Sequence, residues 1–265
     1  MTQSSTLLRS QEGPVFRITL NRPAQRNALS AALLEELHHT IEEIGADESV
    51  HVGIIAANGS AFCAGHDLGE LKSHRSDNDQ GESFYQNLFA ACSDLMLSIT
   101  RCPKPIIAEV QGIATAAGCQ LVATCDLAVA AKTARFATPG VQIGLFCSTP
   151  MVALTRSVGR KKSMEMLLTG DAISAEQAEK YGLINRAVDD DQLTHTVHEL
   201  AMKIAGKSPL TLAIGKRAFH EQINLNLAQA YDTASNAMAC NMLSEDANEG
   251  IDAFLTKRTP VWRGV

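Results

Sequence analysis

Short apolar runs alternate with longer segments of helical period over the first half of the chain, a pattern that predicts strands joined by helices. Val15 to Leu20 reads as a strand, the turn Asn21-Arg22-Pro23 follows, and Ser30 caps a helix with Glu35 and Glu36 near its start. Val50 to Ala57 is a second apolar strand, broken by Asn58-Gly59-Ser60. Glu82 to Ile99 carries Phe84, Leu88, Ala91, Leu95 and Ile99 at helical spacing, and Pro103 and Pro105 stop it. Ile106 to Val110 is a strand, a helix starts near Ala117, and Leu127 to Ala131 is a further strand. From Ala153 onward the period is mostly helical, over Lys161 to Leu168, Ser174 to Tyr181, Asp191 to Ile204, Pro209 to Gln222, Asn224 to Leu243 and roughly Asp246 to Thr256.

This pattern contains a weak repeat. Val52-Gly-Ile-Ile-Ala-Ala runs through small residues to Cys63-Ala-Gly-His66, and Pro105-Ile-Ile-Ala-Glu-Val runs through small residues to Thr115-Ala-Ala117. Each strand hands over to a helix start after a similar distance, so two neighbouring parallel strands could deliver two backbone N–H groups to one point. The first N–H groups of a helix have no partner inside it, and two of them converging make an oxyanion hole. Either segment alone reads equally as tight packing of small residues; the pair favours function. Gln120 stands three residues after Ala117, and helical side chains lean toward the N-terminus, so it overhangs the same spot. A carboxylate there would serve as a general base, but a carboxamide cannot take a proton.

Composition narrows the choice by exclusion. A length of 265 residues suits one large α/β domain or one domain with a helical appendage, here a core over 1–200 and a helical region over 201–265. The net charge of −6 gives no footprint for nucleic acid, and no apolar stretch approaches the roughly 20 residues of a membrane span. The seven cysteines lack CxxC or metal-ligand spacing, which suits a reducing compartment and small buried thiols. Met1-Thr-Gln-Ser-Ser reads as neither a signal peptide nor a transit sequence, so the expectation is a cytoplasmic protein with no metal.

At these residues the sequence resembles the crotonase (enoyl-CoA hydratase/isomerase) superfamily nearly end to end. The matching pieces are Leu20-Asn-Arg-Pro with Asn27-Ala-Leu29, Phe62-Cys-Ala-Gly-His-Asp-Leu68, Lys104-Pro-Ile-Ile-Ala, and Gly112-Ile-Ala to Cys125-Asp126. Further along come Phe136-Ala-Thr-Pro, Gly144-Leu145, Gly182-Leu-Ile with Val188, and Phe254 with Lys257-Arg258-Thr-Pro-Val-Trp262. The resemblance implies an α/β spiral of ββα units with a C-terminal helical region that makes trimers, often paired into hexamers. It implies acyl-CoA thioester substrates, with coenzyme A part of the substrate and no separate cofactor. By the same resemblance the oxyanion-hole amides are those of His66 and Ala117. Ala64 and the stretch His66-Asp67-Leu68-Gly69 would line the pantetheine, Arg22 and Arg26 would lie near the nucleotide, and Phe254 and Lys257 would reach the adenine and phosphates, commonly from a neighbouring subunit.

Two departures bear on the chemistry. The hydratases of the family carry one glutamate where Gln120 stands and a second where Gly140 stands, and these position the water and exchange its protons. A position at which a related dehalogenase holds a nucleophilic aspartate falls near Ser148. Three readings follow: an enoyl-CoA hydratase/isomerase-like enzyme with doubtful hydration, a non-catalytic acyl-CoA binder or assembly subunit, and a thioester hydrolase or other carbonyl chemistry using His66 or a thiol. The His66 side chain is an acid/base group or a spacer, and Gln120 a donor to the thioester or an interior amide. Asp67 reads first as a helix cap, Glu109 as a paired structural carboxylate, Cys119, Cys147 and Ser148 as filler, and His195 with His198 as a solvated face.

Overall fold

In the computed structural model the described residues are 5–265; Met1 to Ser4, and with them most of the expected non-signal opening, lie outside that range. The chain begins with β1 (Leu7–Glu12), β2 (Val15–Leu20) and α1 (Ala31–Ala46), whose N-cap Ser30 accepts a hydrogen bond from the Leu33 N–H. A repeated unit then starts. The strand β3 (Val52–Ala57), the short strand β4 (Ala61–Cys63) and α2 (Leu68–Ser73) form its first turn. After α3 (Glu82–Arg101), the strands β5 (Ile106–Val110) and β6 (Ile113–Thr115) lead into α4 (Ala117–Thr124). A third turn has β7 (Leu127–Ala131), β8 (Arg135–Ala137), a 3-10 turn over Pro139–Ile143 and α5 (Ser148–Ser157). Then come α6 (Arg160–Thr169), β9 (Ile173–Ser174), α7 (Ala175–Tyr181), β10 (Arg186–Val188), α8 (Leu193–Ala205), α9 (Pro209–Gln222), α10 (Leu227–Met242) and α11 (Glu245–Thr256).

The long strands form one sheet, in the order β1-β2-β3-β5-β7-β10, and the short ones another, β4-β6-β8-β9. Within each repeat the first strand joins the large sheet and the second turns into the small one, which is the expected ββα spiral. The two strands of the sequence repeat, β3 and β5, are parallel neighbours, with Ile54 opposite Ile107. The repeat also has a third member that the sequence pattern did not reveal. The second strand begins at Val52 rather than Val50. β1 was not expected either: after buried Leu7 every residue of it is exposed, so its antiparallel pairing with β2 leaves no apolar period to read.

Alternation sorts the large sheet's side chains onto two faces. Val52, Ile54, Ile107, Val129 and Ala131 pack under α8 with Leu193, Val197, Ala201 and Ala205. Ile55, Ala108, Val110, Ala128 and Ala130 face the opposite way, into the core shared with α1, α3 and α4. Because α8 covers the sheet, the boundary expected at 200/201 falls inside a helix of the core, and the helical region starts after Ala205. Lys216 of α9 ties that region down. Its buried Nζ donates to the carbonyls of Ile99 and Lys104 at 2.9 and 3.0 Å and pairs with Asp126 at 2.6 Å. Among the described residues no helix is long and apolar enough to cross a membrane.

Candidate active site

β4, β6 and β8 run side by side and parallel, so their carboxyl ends open on one side of the small sheet. The carboxyl ends of parallel strands are where α/β folds place ligands. Three loops leave from that edge: Ala64-Gly65-His66, Ala116-Ala117 and Thr138-Pro139-Gly140. A rung between the Ala116 N–H and the Ala137 carbonyl, 2.9 Å, holds the second beside the third.

Backbone conformation frees an N–H in each of the first two loops. Leu29 donates to the Gly65 carbonyl at 2.8 Å and accepts from the Asp67 N–H at 3.1 Å. In a parallel bridge of this kind the residue between, His66, turns its own N–H to the other side. Gly65 has φ +92°, and a Cβ there would lie 2.9 Å from Ala116 Cβ and 3.4 Å from the Ala117 nitrogen. The two loops therefore touch at the amides. Ala116, at φ 50° and ψ −118°, occupies a region that L-residues avoid, and this angle sets the plane of the peptide carrying the Ala117 N–H. Among the described residues neither the His66 nor the Ala117 N–H has a protein acceptor. Strain of this type costs about 1–3 kcal/mol, against about 0.5–1 kcal/mol for the extra freedom of a glycine. Ala116→Gly should therefore leave stability in a denaturant titration unchanged or raised by up to about 2 kcal/mol; a loss above about 1 kcal/mol would show that Ala116 is unstrained.

The side chains of His66, Gln120 and Thr138 carry no carboxylate or cationic tail. The His66 ring packs edge-on to Phe89, with centroids 5.4 Å apart, and burial pushes its pKa below the usual histidine value. Both of its ring nitrogens are buried without a hydrogen-bond partner, as are Gln120 Oε1 and Thr138 Oγ1. Gln120 is 4% exposed and Thr138 fully buried. Buried polar atoms nearly always have partners, so these lone ones, on residues that follow β4, β6 and β8, stand out; Gln111 Oε1, ahead of β6, is a further one. Thr138 is a residue that reading the sequence missed; its only signal was its place just before Pro139-Gly140.

Gly140 sits in a closed loop. Its carbonyl accepts from the Leu145 N–H at 2.9 Å and its N–H points at Cys147 Sγ at 3.4 Å. A Cβ on it would meet the Leu145 carbonyl oxygen at 2.9 Å and Cys147 Sγ at 3.0 Å. Burial raises the pKa of the Cys147 thiol and takes that of Cys119 to about 12, so both stay protonated and are weak nucleophiles. Ser148 is exposed and donates to the Phe146 carbonyl at 3.3 Å.

The remaining expected residues divide. Asp67 caps α2 through the Gly69 and Glu70 N–H groups and pairs with Arg22 at 3.0 Å, while Arg22 also donates to the Ala28 carbonyl at 2.6 Å. Arg22 and Asp67 thus clamp the segment over 22–28 to the start of α2, next in sequence to His66. Arg26 and Leu68 are exposed near them, and Ala64 is half-buried, its N–H held by the Arg26 carbonyl at 3.0 Å. Phe254, 83% exposed, and Lys257 belong to the end of α11, which packs against α9 and α10. Glu109 is on the α8 face: it accepts from Arg17 at 2.8 Å and from Thr194 at 2.9 Å, a paired structural carboxylate. His195 meets Glu199 at 3.4 Å on an exposed helix face. Among the described residues no group of three or more histidine, cysteine or acidic side chains could hold a metal.

Comparison with known proteins extends this picture. The family model described as enoyl-CoA hydratase/isomerase matches residues 10–265. The rat mitochondrial protein named enoyl-CoA hydratase domain-containing protein 3 is 47% identical, over 97% of this chain and 84% of its own. A crystal structure of an enoyl-CoA hydratase from Mycobacterium smegmatis superposes with a TM-score of 0.93 at 48% identity, over 98% of this chain and 99% of that one. The human enoyl-CoA hydratase domain-containing protein 3 superposes with a TM-score of 0.93 at 44% identity, over 97% of this chain and 100% of that one. These relatives correct the cytoplasmic expectation, since the rat, mouse and human proteins are all named mitochondrial. Cysteine usage reports a reducing compartment and does not separate the cytosol from a reducing organelle interior. The chain belongs to the enoyl-CoA hydratase/isomerase family, the crotonase superfamily, within the group of enoyl-CoA hydratase domain-containing protein 3.

Proposed function

We propose that this protein binds an acyl-CoA thioester and polarises its carbonyl between the N–H groups of His66 and Ala117, without the acid pair that hydrates an enoyl group. The observation that carries the reading is the contact of two loops with positive φ, at Gly65 (+92°) and Ala116 (+50°), each followed by an amide that has no acceptor among the described residues. Two preorganised donors at a thioester oxygen stabilise an enolate-like or tetrahedral oxyanion, and losing one such donor typically costs about 10²–10³ in rate. Gln120 can donate a hydrogen bond but cannot shuttle a proton. Arg26, Leu68 and Gly69 stand beside His66 on the outer side of the loop, where the pantetheine and nucleotide would run. Coenzyme A is then part of the substrate. Leu227, Tyr231, Met238 and Met242, 75, 67, 61 and 48% exposed at helical spacing along α10, supply an apolar face for assembly with further copies of the chain, as a trimer or hexamer.

Titration calorimetry of butyryl-CoA against free CoA tests the reading. The thioester should bind more tightly, and Gly65→Ala, which crowds Ala116 and disturbs the His66 amide, should weaken the thioester while sparing free CoA. Equal affinity for the two ligands would remove the case for a carbonyl site. The non-catalytic variant of this reading rests on the closed loop at Gly140. A screen of acyl-CoA thioesters separates it, since binding without any product is what a pure binder gives.

A further inference from the structure

We infer that the groove between α1 and α3 is a docking site for a basic amphipathic helix of a partner protein. The groove has a volume of about 780 Å³. Its lining recurs at helical spacing on both walls, at Ala31, Glu35, His38 and Glu42 of α1 and at Phe84, Leu88, Ala91 and Asp94 of α3, so it follows the two helices rather than crossing them. Three turns of a helix are about 16 Å long, and an elongated occupant of that length fits. Buried Leu34 and Leu88 form the floor, and Ala31, Ala32 and Ala91 are small enough to let a third helix approach to the usual axial distance of about 8–10 Å. Both walls are helices, whose backbone groups are bonded within the helix, so an extended peptide would find no strand edge to pair with. A helix satisfies its own backbone.

The rim gives the partner its charge. Four carboxylates line the groove, those of Glu35, Glu36, Glu42 and Asp94, and no lysine or arginine does. Glu36 accepts from Thr6 at 2.6 Å, and Glu42 lies 3.3 Å from His38. Glu35 and Asp94 are exposed, and neither carboxylate has a hydrogen bond or ion pair among the described residues. An apolar stripe flanked by lysines or arginines is complementary to this arrangement, whereas an acidic helix would be repelled. None of the lining residues belongs to the candidate active site, so the inference stands apart from the acyl-CoA reading.

Fluorescence anisotropy with labelled synthetic peptides of about 18 residues, long enough to be helical, tests this. The first peptide has leucines at helical spacing with lysines between them, the second carries glutamates in place of the lysines, and the third keeps the first composition with its leucines out of period. The first should bind at least about tenfold more tightly than either control, and added salt should weaken it. Glu35→Lys with Asp94→Lys should lower its affinity about tenfold or more. Ala91→Trp, which fills the groove without altering its charge, should abolish binding. The charge reversals lie on exposed positions, so the melting temperature of that variant should match the parent's, which separates lost docking from lost folding. The inference is overturned if no peptide binds, if the three bind alike, or if the charge reversals leave the affinity intact. It is overturned equally if Ala91→Trp shifts the oligomeric state in analytical ultracentrifugation, which would give the groove to a second copy of this chain.

Discussion

Crotonyl-CoA should bind to this protein and remain essentially unhydrated, at a rate at least about 10²-fold below the roughly 10 s⁻¹ of a median enzyme. Hydration needs a group that takes a proton from water and one that returns it, each contributing about 10²–10⁴-fold. Gln120 and Gly140 provide neither. The structure adds a stronger expectation: restoring both acids should not restore the reaction. Gln120→Glu is nearly isosteric. Gly140→Glu is not, because its first carbon would lie 2.9 Å from the Leu145 carbonyl oxygen, whose residue is itself hydrogen-bonded to Gly140 at 2.9 Å. The loop over Leu145 to Cys147 has closed onto the place a side chain would leave from. Spectrophotometric hydration by the double variant should stay within about tenfold of Gln120→Glu alone, since only one proton-transfer group has been regained. Turnover near 10 s⁻¹ by the parent would show that other groups move the protons, and by the double variant that the loop opens to admit a side chain at Gly140.

Gly118→Ala should be the most damaging glycine-to-alanine change among the described residues. On an exposed helix the substitution would gain about 1 kcal/mol from propensity. Here the added Cβ would fall 2.1 Å from the Cys63 carbonyl oxygen and 2.8 Å from its carbonyl carbon, both backbone atoms of β4. Backbone in a sheet cannot rotate aside as a side chain can. Overpacking of cores costs about 1–3 kcal/mol even where side chains can adjust, so a loss of at least about 3 kcal/mol is expected in urea titration. Displacement of α4 would also move the Ala117 N–H, so any folded fraction should bind thioesters poorly. A variant as stable as the parent would mean that α4 and β4 are not in the contact described.

Local pattern carried much of this. The apolar runs of β2, β3, β5 and β7 and the helical periods of α1, α3 and α8 to α11 are legible because each is long enough to show its repeat. The contact of the turn at Gly65 with the turn at Ala116 was legible for the same reason, since two long strands with similar exits imply neighbouring turns. Even the reaction class was constrained by a single letter: a carboxamide at Gln120 cannot move protons, whatever the fold around it, and the family resemblance marked Gly140 as the second place without an acid.

What remained hidden was set by contacts that leave no period. β4, β6 and β8 are three residues each, too short for alternation to register, yet their shared edge assembles the candidate site. Thr138 gained its significance only when β8 proved to be the third strand of that edge. The strand face of Glu109 was undecidable until α8 brought Thr194 to it. Arg22 and Asp67, each readable as a ligand contact, turned out to hold one another. The closure at Gly140 depends on where Leu145 and Cys147 come to rest. Chain-local physics thus specified the elements and the carboxamide at Gln120, and the family resemblance the absent acid at Gly140, while which polar groups are already paired and where no side chain can fit were decided by the approach of backbones distant in sequence.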